Sequence, residues 1–265
     1  MMNKGRIKLL DIDLIKDEVI LKKFSYWSKL VKWVPGWHYD LDMSWILKNL
    51  ELLNLKKGAR ILDAGAGQGI MQYILALKGY HVVSLDFSKR KVPNVVKNKF
   101  QITLHNQNKL DYYHSYQDFI KLENESVFRY ENIRKIFYFK KIFFRAKREI
   151  NSFFYSLHYR FNKKKNVGKI DYIRAAFHDM PFQKGYFDAV ISLSALEHSD
   201  YKLLDKNIQE LRSVVKKSGG VFITTSGTNE LIDKYDEETG GWCFCVKTLS
   251  RFTHNATDEF LKYKE

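Results

Sequence analysis

Cysteine is scarce, long apolar runs are missing and acidic residues are outnumbered, and each shortage removes a class of protein. The two cysteines, Cys243 and Cys245, form a lone Cys-x-Cys with no second pair. Neither a disulfide framework nor a zinc site is expected from them, and a reducing compartment is the simpler setting. No run of about 18 apolar residues occurs, which speaks against a membrane-spanning helix. Acids at Asp11 and Asp13 interrupt the apolar residues that follow Met1–Arg6, so no signal-like segment is read there. What is present is 265 residues, 45% hydrophobic, enough for the core of one intracellular α/β domain with an elaboration.

The chain is organised around Ala59-Arg60-Ile61-Leu62-Asp63-Ala64-Gly65-Ala66-Gly67-Gln68-Gly69-Ile70. This reads as a buried strand entering a glycine-rich turn, followed by a helix from Met71 that carries Tyr73, Ile74 and Leu77 at helical spacing. Glycines at alternate positions let the backbone turn tightly and let a ligand approach amide groups at a helix start. Gly79-Tyr80 then breaks the pattern, and His81–Asp86 reads as a second strand ending in an acid. Asp86 lies 23 positions after Asp63, the distance that one strand-helix-strand unit needs to bring an acid to the end of the neighbouring parallel strand, where it can accept hydrogen bonds from a ribose.

The pattern Asp63-Ala-Gly-Ala-Gly-Gln-Gly69 with a second acid at Asp86 resembles class I S-adenosylmethionine-dependent methyltransferases of the small-molecule type. The nicotinamide dehydrogenase fingerprint spaces its glycines differently. Further segments match in order. Asp171–Phe182 resembles the third strand and the loop whose acid, here Asp179, holds the adenine amino group in the family. Gly185–His198 resembles the fourth strand with its Leu-Glu-His ending, and a helix over 203–215 leads through Lys216–Gly220 to the strand Val221–Thr225. The resemblance covers roughly residues 55–100 and 170–226. It implies a Rossmann-like, doubly wound, mostly parallel sheet with helices on both faces, and S-adenosylmethionine as cofactor with S-adenosylhomocysteine as product.

By the same resemblance Gly65, Gly67 and Gly69 admit the methionyl part of the cofactor, and Asp63 orients the glycine loop and the cofactor's amino group. Asp86 binds the ribose, with Phe87 beside it, Asp179 and Met180 hold the adenine, and Leu193 completes the cofactor-binding set. The acceptor is expected over Ser194–His198. His198 is the candidate general base, since an unperturbed imidazole titrates near neutral pH; the alternative is that Glu197-His198 merely caps the next helix. His38 and Tyr39 are reserve candidates, and no metal ligands are read.

The departures divide the chain. Residues 1–55 form an N-terminal helical cap broken at Pro35-Gly36, in which His38, Tyr39 and Asp40 are candidates for lining the site mouth. Residues 56–100 and 170–265 form the core, and 101–169 a long helical insertion, because Asp86 and Asp179 stand 93 positions apart where a helix and a strand need about 30–45. From Lys121 to Lys169 there are 14 Lys/Arg against 4 Asp/Glu, so this segment carries ten of the net fifteen positive charges. Ile133, Ile136, Phe137, Phe143, Phe144, Ile150, Phe154, Leu157 and Phe161 recur there, largely at three- and four-residue steps, an amphipathic basic helix or hairpin. A lid or homodimer element, peripheral contact with a membrane's inner face, and a grip on an anionic substrate or nucleic acid all fit.

After Thr225 only forty residues remain, too few for the usual last strand, helix and hairpin strand, so the C-terminal strands are expected to be incomplete or rearranged. Glu230–Asp236 is expected to be helical, Trp242–Val246 extended, and Thr248–Phe252 helical.

Acceptor chemistry follows by exclusion. Ser192-Leu193-Ser194-Ala195 lacks the Pro-Pro-aromatic signature of methyltransferases acting on nucleobase amino groups, and no Pro-Cys nucleophile is present. O- or N-methylation of a small or polymer-linked acceptor remains, with positive charge favouring phosphate. The Lys-, Asn-, Ile- and Phe-rich composition resembles that of AT-rich bacteria, in which cytoplasmic enzymes of this type serve surface polysaccharide synthesis. RNA or membrane-lipid methylation and non-catalytic cofactor binding are the alternatives.

Overall fold

The structure, a computed structural model, describes residues 7–36, 38–88, 90, 92–105 and 167–253. Two helices open the described chain. In α1 (Glu18–Val31) the Asp17 carboxylate accepts from the Val19 and Ile20 amides at the start, and Lys32 in the left-handed region (φ 61) ends it. Its buried stripe is Phe24, Trp27 and Leu30; α2 (His38–Leu52) buries Met43, Ile46, Leu47 and Leu50 against the same core. Trp27 stacks on Tyr73 with ring centres 5.3 Å apart. The N-terminal helices are thus part of the core's foundation.

The core begins with β1 (Arg60–Ala64), α3 (Met71–Leu77), β2 (His81–Asp86), α4 (Asn94–Lys99) and β3 (Gln101–His105). It continues with β4 (Lys169–Arg174), β5 (Phe187–Leu193), α5 (Leu204–Ser213) and β6 (Val215–Thr224). The six strands form one sheet in the order β3-β4-β2-β1-β5-β6, with every neighbouring pair parallel. Strands buried on both faces read as apolar runs, and their alternate residues go to different layers. Ile61 and Val82 pack with α1 to α4, whereas Leu62, Val83 and Leu85 pack with Leu204, Ile208 and Leu211 of α5. Strand order reverses between β1 and β5, and a crevice at such a reversal lies at the carboxyl ends of the strands. The glycine turn after β1 is placed there.

Several sequence expectations need correction. Gln101–His105, assigned to the helical insertion, is an edge strand parallel to β4. Five residues of β-compatible sequence next to a paired neighbour gain a hydrogen-bond ladder that a helix start would forgo. Residues 106–166, which carry almost all of the predicted basic helix, lie outside the described residues. Lys216–Gly220 is not a simple turn: it belongs to a bulged start of β6, where Phe187 pairs with Val215 but Ala189 with Gly220.

The segment 230–236 is not helical. It leads into β8 (Lys234–Asp236), which with β7 (Gly227–Thr228) and β9 (Gly241–Cys245) forms a separate three-stranded sheet in the order β7-β9-β8. A short helix, α6 (Val246–Arg251), follows. Asp233 holds this unit together, accepting from Tyr201 Oη at 2.5 Å, the Cys245 amide at 2.7 Å and Thr248 Oγ1 at 2.7 Å. Satisfying these polar groups favours the extended arrangement, even though it leaves Leu231 and Ile232 exposed. The strands after β6 thus form a sheet of their own among the described residues. Among the described residues, no helix is long and apolar enough to cross a membrane.

Candidate active site

The turn after β1 is held from several sides. The Gly65 and Ala66 amides donate to the Leu85 carbonyl at 2.9 and 3.2 Å, and the Gly67 amide donates to Asp86 Oδ2 at 2.8 Å. Gln72 Nε2 donates to the Gly69 carbonyl at 2.7 Å, while its Oε1 accepts from Ser84 Oγ at 2.9 Å, and Arg90 Nη2 donates to that same Ser84 oxygen at 3.0 Å. A buried polar chain thus runs from the loop into the core, and such a chain rigidifies when its members are paired. Gly65 has φ +71, and a Cβ there would lie 2.4 Å from that of Ala195 and 2.8 Å from Phe177 Cζ. Gly67, with φ +46, has nothing within 4 Å of a built Cβ. One glycine permits close packing, and the other leaves open space.

That space belongs to a cavity of about 1180 Å³ at the carboxyl end of the sheet. It is large enough for a nucleoside cofactor with a second molecule beside it. Asp63, Gly65, Gly67, Gly69, Asp86, Phe87, Leu193 and His198 all line it, so most of the expected site residues converge. Asp179 and Met180 do not. Asp179 is exposed at the end of the short helix Phe177–Asp179, Met180 is buried in the layer under α5, and Ala176, Phe177 and His178 take the lining. The one-turn helix rotates the acid outward and leaves an aromatic ring in its place.

Asp63 is fully buried, and burial pushes its carboxyl up to about 7, against the pull of Arg90 and with the help of Asp86's charge. No hydrogen bond among the described residues stabilises its ionised form. Asp86 spends Oδ1 on the Ser88 amide (2.8 Å) and hydroxyl (2.6 Å) and Oδ2 on Gly67. A carboxylate has about four lone-pair positions, so capacity remains for a further donor.

A second group of polar side chains lies beyond the glycine turn, where β5 ends. Ser194 and Tyr39 line the cavity; Asp42 and Glu197 are buried behind them. Ser194 Oγ donates to Asp42 Oδ2 at 2.8 Å, and Thr225 Oγ1 donates to a Glu197 oxygen at 2.9 Å. Burial raises both carboxyls, and the phenol of Tyr39 is raised by burial and by the charges of Glu197 and Asp42. His198 Nδ1 lies 3.1 Å from the Gly240 carbonyl in the corner before β9. His38 and Asp40 are not among the cavity's lining residues, in contrast to Tyr39. Reading the sequence missed Asp42, Gln72 and Phe177, none of which carried a local signal; Ser194 lies where the acceptor was expected, at the end of a strand.

A family model for the methyltransferase domain matches residues 37–257, most of the chain. The chain belongs to the methyltransferase domain family. It is a class I methyltransferase and uses S-adenosylmethionine. No curated protein matches it. Among solved structures it is similar to 1,6-didemethyltoxoflavin-N1-methyltransferase of Burkholderia thailandensis with bound 1,6-didemethyltoxoflavin and S-adenosylhomocysteine, at 10% identity over 94% of this chain and 80% of that one, TM-score 0.46. A SAM-dependent methyltransferase of Methanosarcina mazei shows 17% identity over 78% of this chain and 81% of that one, TM-score 0.42. A protein of Anabaena variabilis, described as a methyltransferase from an antibiotic biosynthesis pathway, shows 18% identity over 70% of this chain, TM-score 0.36; the chain spans 46% of its length.

The residues of this methyltransferase fit the cofactor. The open face at Gly67 admits a ligand where any side chain would stand, and the buried Asp63 carboxyl, whose burial Arg90 offsets only in part, offers a counter-charge to the cofactor's ammonium group. Asp86 keeps acceptor capacity for a ribose hydroxyl. Phe177 and Phe87 offer apolar surface for a base.

Proposed function

We propose that this methyltransferase methylates an oxygen of a small or glycan-linked acceptor that carries phosphate, of the kind used in building bacterial surface polysaccharide. The observation that supports oxygen transfer is the posture of His198. A carbonyl can only accept, so the contact with Gly240 assigns the ring proton to Nδ1 and leaves Nε2 as an acceptor on a residue that lines the cavity. When bound, S-adenosylmethionine supplies a methyl group already activated on a sulfonium. What the chain must add is alignment of the acceptor, exclusion of water and removal of one proton. In this reading His198 Nε2 takes the hydroxyl proton, Tyr39 and Ser194 bound the acceptor, and Asp63, Gly65, Gly67, Gly69, Asp86, Phe87 and Leu193 hold the cofactor. Asp179 and Met180 support the adenine loop from outside the cavity.

The phosphate preference is supported by the positive charge between residues 121 and 169. The same charge favours a second reading, RNA or anionic membrane lipid as the acceptor, with the protein in the cytoplasm and in contact with the inner membrane face or paired as a homodimer. Calorimetric titration with S-adenosylmethionine and S-adenosylhomocysteine, on wild type and Asp86→Ala, tests the cofactor site. Methyl transfer to a panel of sugar phosphates and nucleotide-linked sugars then tests the acceptor. Transfer to none of them, together with a salt-sensitive shift of RNA or co-sedimentation with anionic vesicles, replaces the first reading by the second. Cofactor binding without turnover on any panel leaves a binding module.

A further inference from the structure

We propose that Ser194 and Asp42 form an acceptor-orienting subsite, one that selects a reacting group able to donate a hydrogen bond, a hydroxyl or amine, and rejects an anionic oxygen. The inference rests on the cofactor reading above and names the chemical class that the same site takes. Ser194 lines the cavity at the end of β5 with φ 44, in the left-handed region that a side-chain-bearing residue rarely adopts. Such backbone persists where surroundings over-determine it and gathers at working sites. Here the Ser194 amide donates to the Thr224 carbonyl at 3.1 Å and to Thr224 Oγ1 at 3.2 Å, and its hydroxyl donates to Asp42 Oδ2 at 2.8 Å.

That last bond decides what the cavity meets. The hydroxyl has one proton and gives it to Asp42, so only lone pairs of Ser194 Oγ remain for a ligand, polarised by the charge behind them. A hydroxyl or amine finds an acceptor there. A phosphate or carboxylate oxygen finds lone pairs backed by two buried acids, Asp42 and Glu197. Any phosphate on the acceptor then sits away from the oxygen that is methylated. Ser194 would touch the acceptor, and Asp42 acts through it as a positioning residue.

The groups facing Asp42 are His38 of its own helix, Ser194, Thr224 of β6 and, from the short helix Leu196–His198, Glu197. Tyr39 senses the charges of both Asp42 and Glu197. When Asp42 takes up a proton its own hydroxyl donates to Ser194, the serine proton turns outward, and the selection reverses.

Two cofactor analogues read this without any known acceptor: S-adenosylhomocysteine, and sinefungin, which carries an amine where the transferable methyl stands. Calorimetry on the full chain is expected to show sinefungin binding about tenfold more tightly than S-adenosylhomocysteine at pH 8, as a charge-assisted hydrogen bond allows, with the ratio shrinking on acidification. Asp42→Asn and Ser194→Gly should each bring the ratio near one and leave S-adenosylhomocysteine affinity unchanged. In Ser194→Gly the strain at φ 44 is relieved but buried Asp42 loses a donor, so the melting temperature carries both effects and the ratio is the readout. A merely structural serine would leave the ratio alone. S-adenosylhomocysteine binding with an unchanged ratio in both variants overturns the subsite and spares the cofactor reading. Failure of wild type to bind either analogue overturns both. Should Asp42→Asn fail to fold, the ratio in Ser194→Gly decides.

Discussion

Asp86 and Gly67 are joined across the turn, the carboxylate Oδ2 accepting the Gly67 amide at 2.8 Å. The acid placed to meet the ribose also shapes the loop that admits the rest of the cofactor. Removing it should therefore do two things at once. Asp86→Ala is expected to weaken S-adenosylhomocysteine binding at least about 100-fold and to lower unfolding stability by about 1–3 kcal/mol, since the Gly67 and Ser88 donors lose their partner. Calorimetry and urea melts check both, and loss of binding at unchanged stability would separate the roles.

The two glycines of the turn should differ. Gly65→Ala drives a methyl into Ala195 and Phe177 at φ +71 and is expected to cost about 2–4 kcal/mol. Gly67→Ala meets only its φ of +46 and should cost about 1–2 kcal/mol, while its methyl enters the cofactor's space and lowers affinity more than stability. Thermal melts with and without S-adenosylhomocysteine distinguish them.

Asp63 predicts a pH dependence. Its folded value of about 7 lies above the unfolded 3.8, so the native state binds the extra proton between these values. Stability then falls as pH rises from 4 to 7, the full penalty, on the order of a few kcal/mol, standing above pH 7. Asp63→Asn should remove this slope, its advantage over wild type growing from pH 4 to 7 and flat beyond. A cationic ligand beside Asp63 should lower its pKa, so cofactor binding near pH 6 should release a proton, visible as buffer-dependent heats.

His198→Ala should lower kcat about 10²–10⁴-fold on a hydroxyl acceptor, with cofactor affinity within a few-fold of wild type. An unchanged rate would assign the proton to another group.

Asp233→Ala should loosen the small C-terminal sheet, since Tyr201, Cys245 and Thr248 all donate to it. The expected signature is faster amide exchange over 227–251 and a loss of about 2–3 kcal/mol, with the cofactor site intact.

Where reading the residues succeeded, the signal was local. β2 was read at its observed limits, His81 to Asp86, because a parallel strand buried on both faces is an apolar run between breaks. The basic 101–169 segment misled at its start: edge strand β3 is exposed along most of its length, and its alternation rests on only two apolar residues, Ile102 and Leu104. The stretch 230–236 misled for a similar reason, since what extends it is the pull of Asp233 on groups as far away as Tyr201, 32 positions before it.

Reading the sequence alone sufficed for the strand-turn-helix at Asp63–Gly69, the second acid at Asp86 and the family to which they belong, because each depends on spacing within one βαβ unit. Only the tertiary structure decided that Asp179 turns outward, that the last strands leave the main sheet, and that Asp42 lies under Ser194, 152 positions away. No periodicity encodes a contact between a helix placed before the sheet and a strand end near its finish. It exists because α2 packs on β5 and β6, and burial there leaves a carboxylate and a hydroxyl with each other as partners.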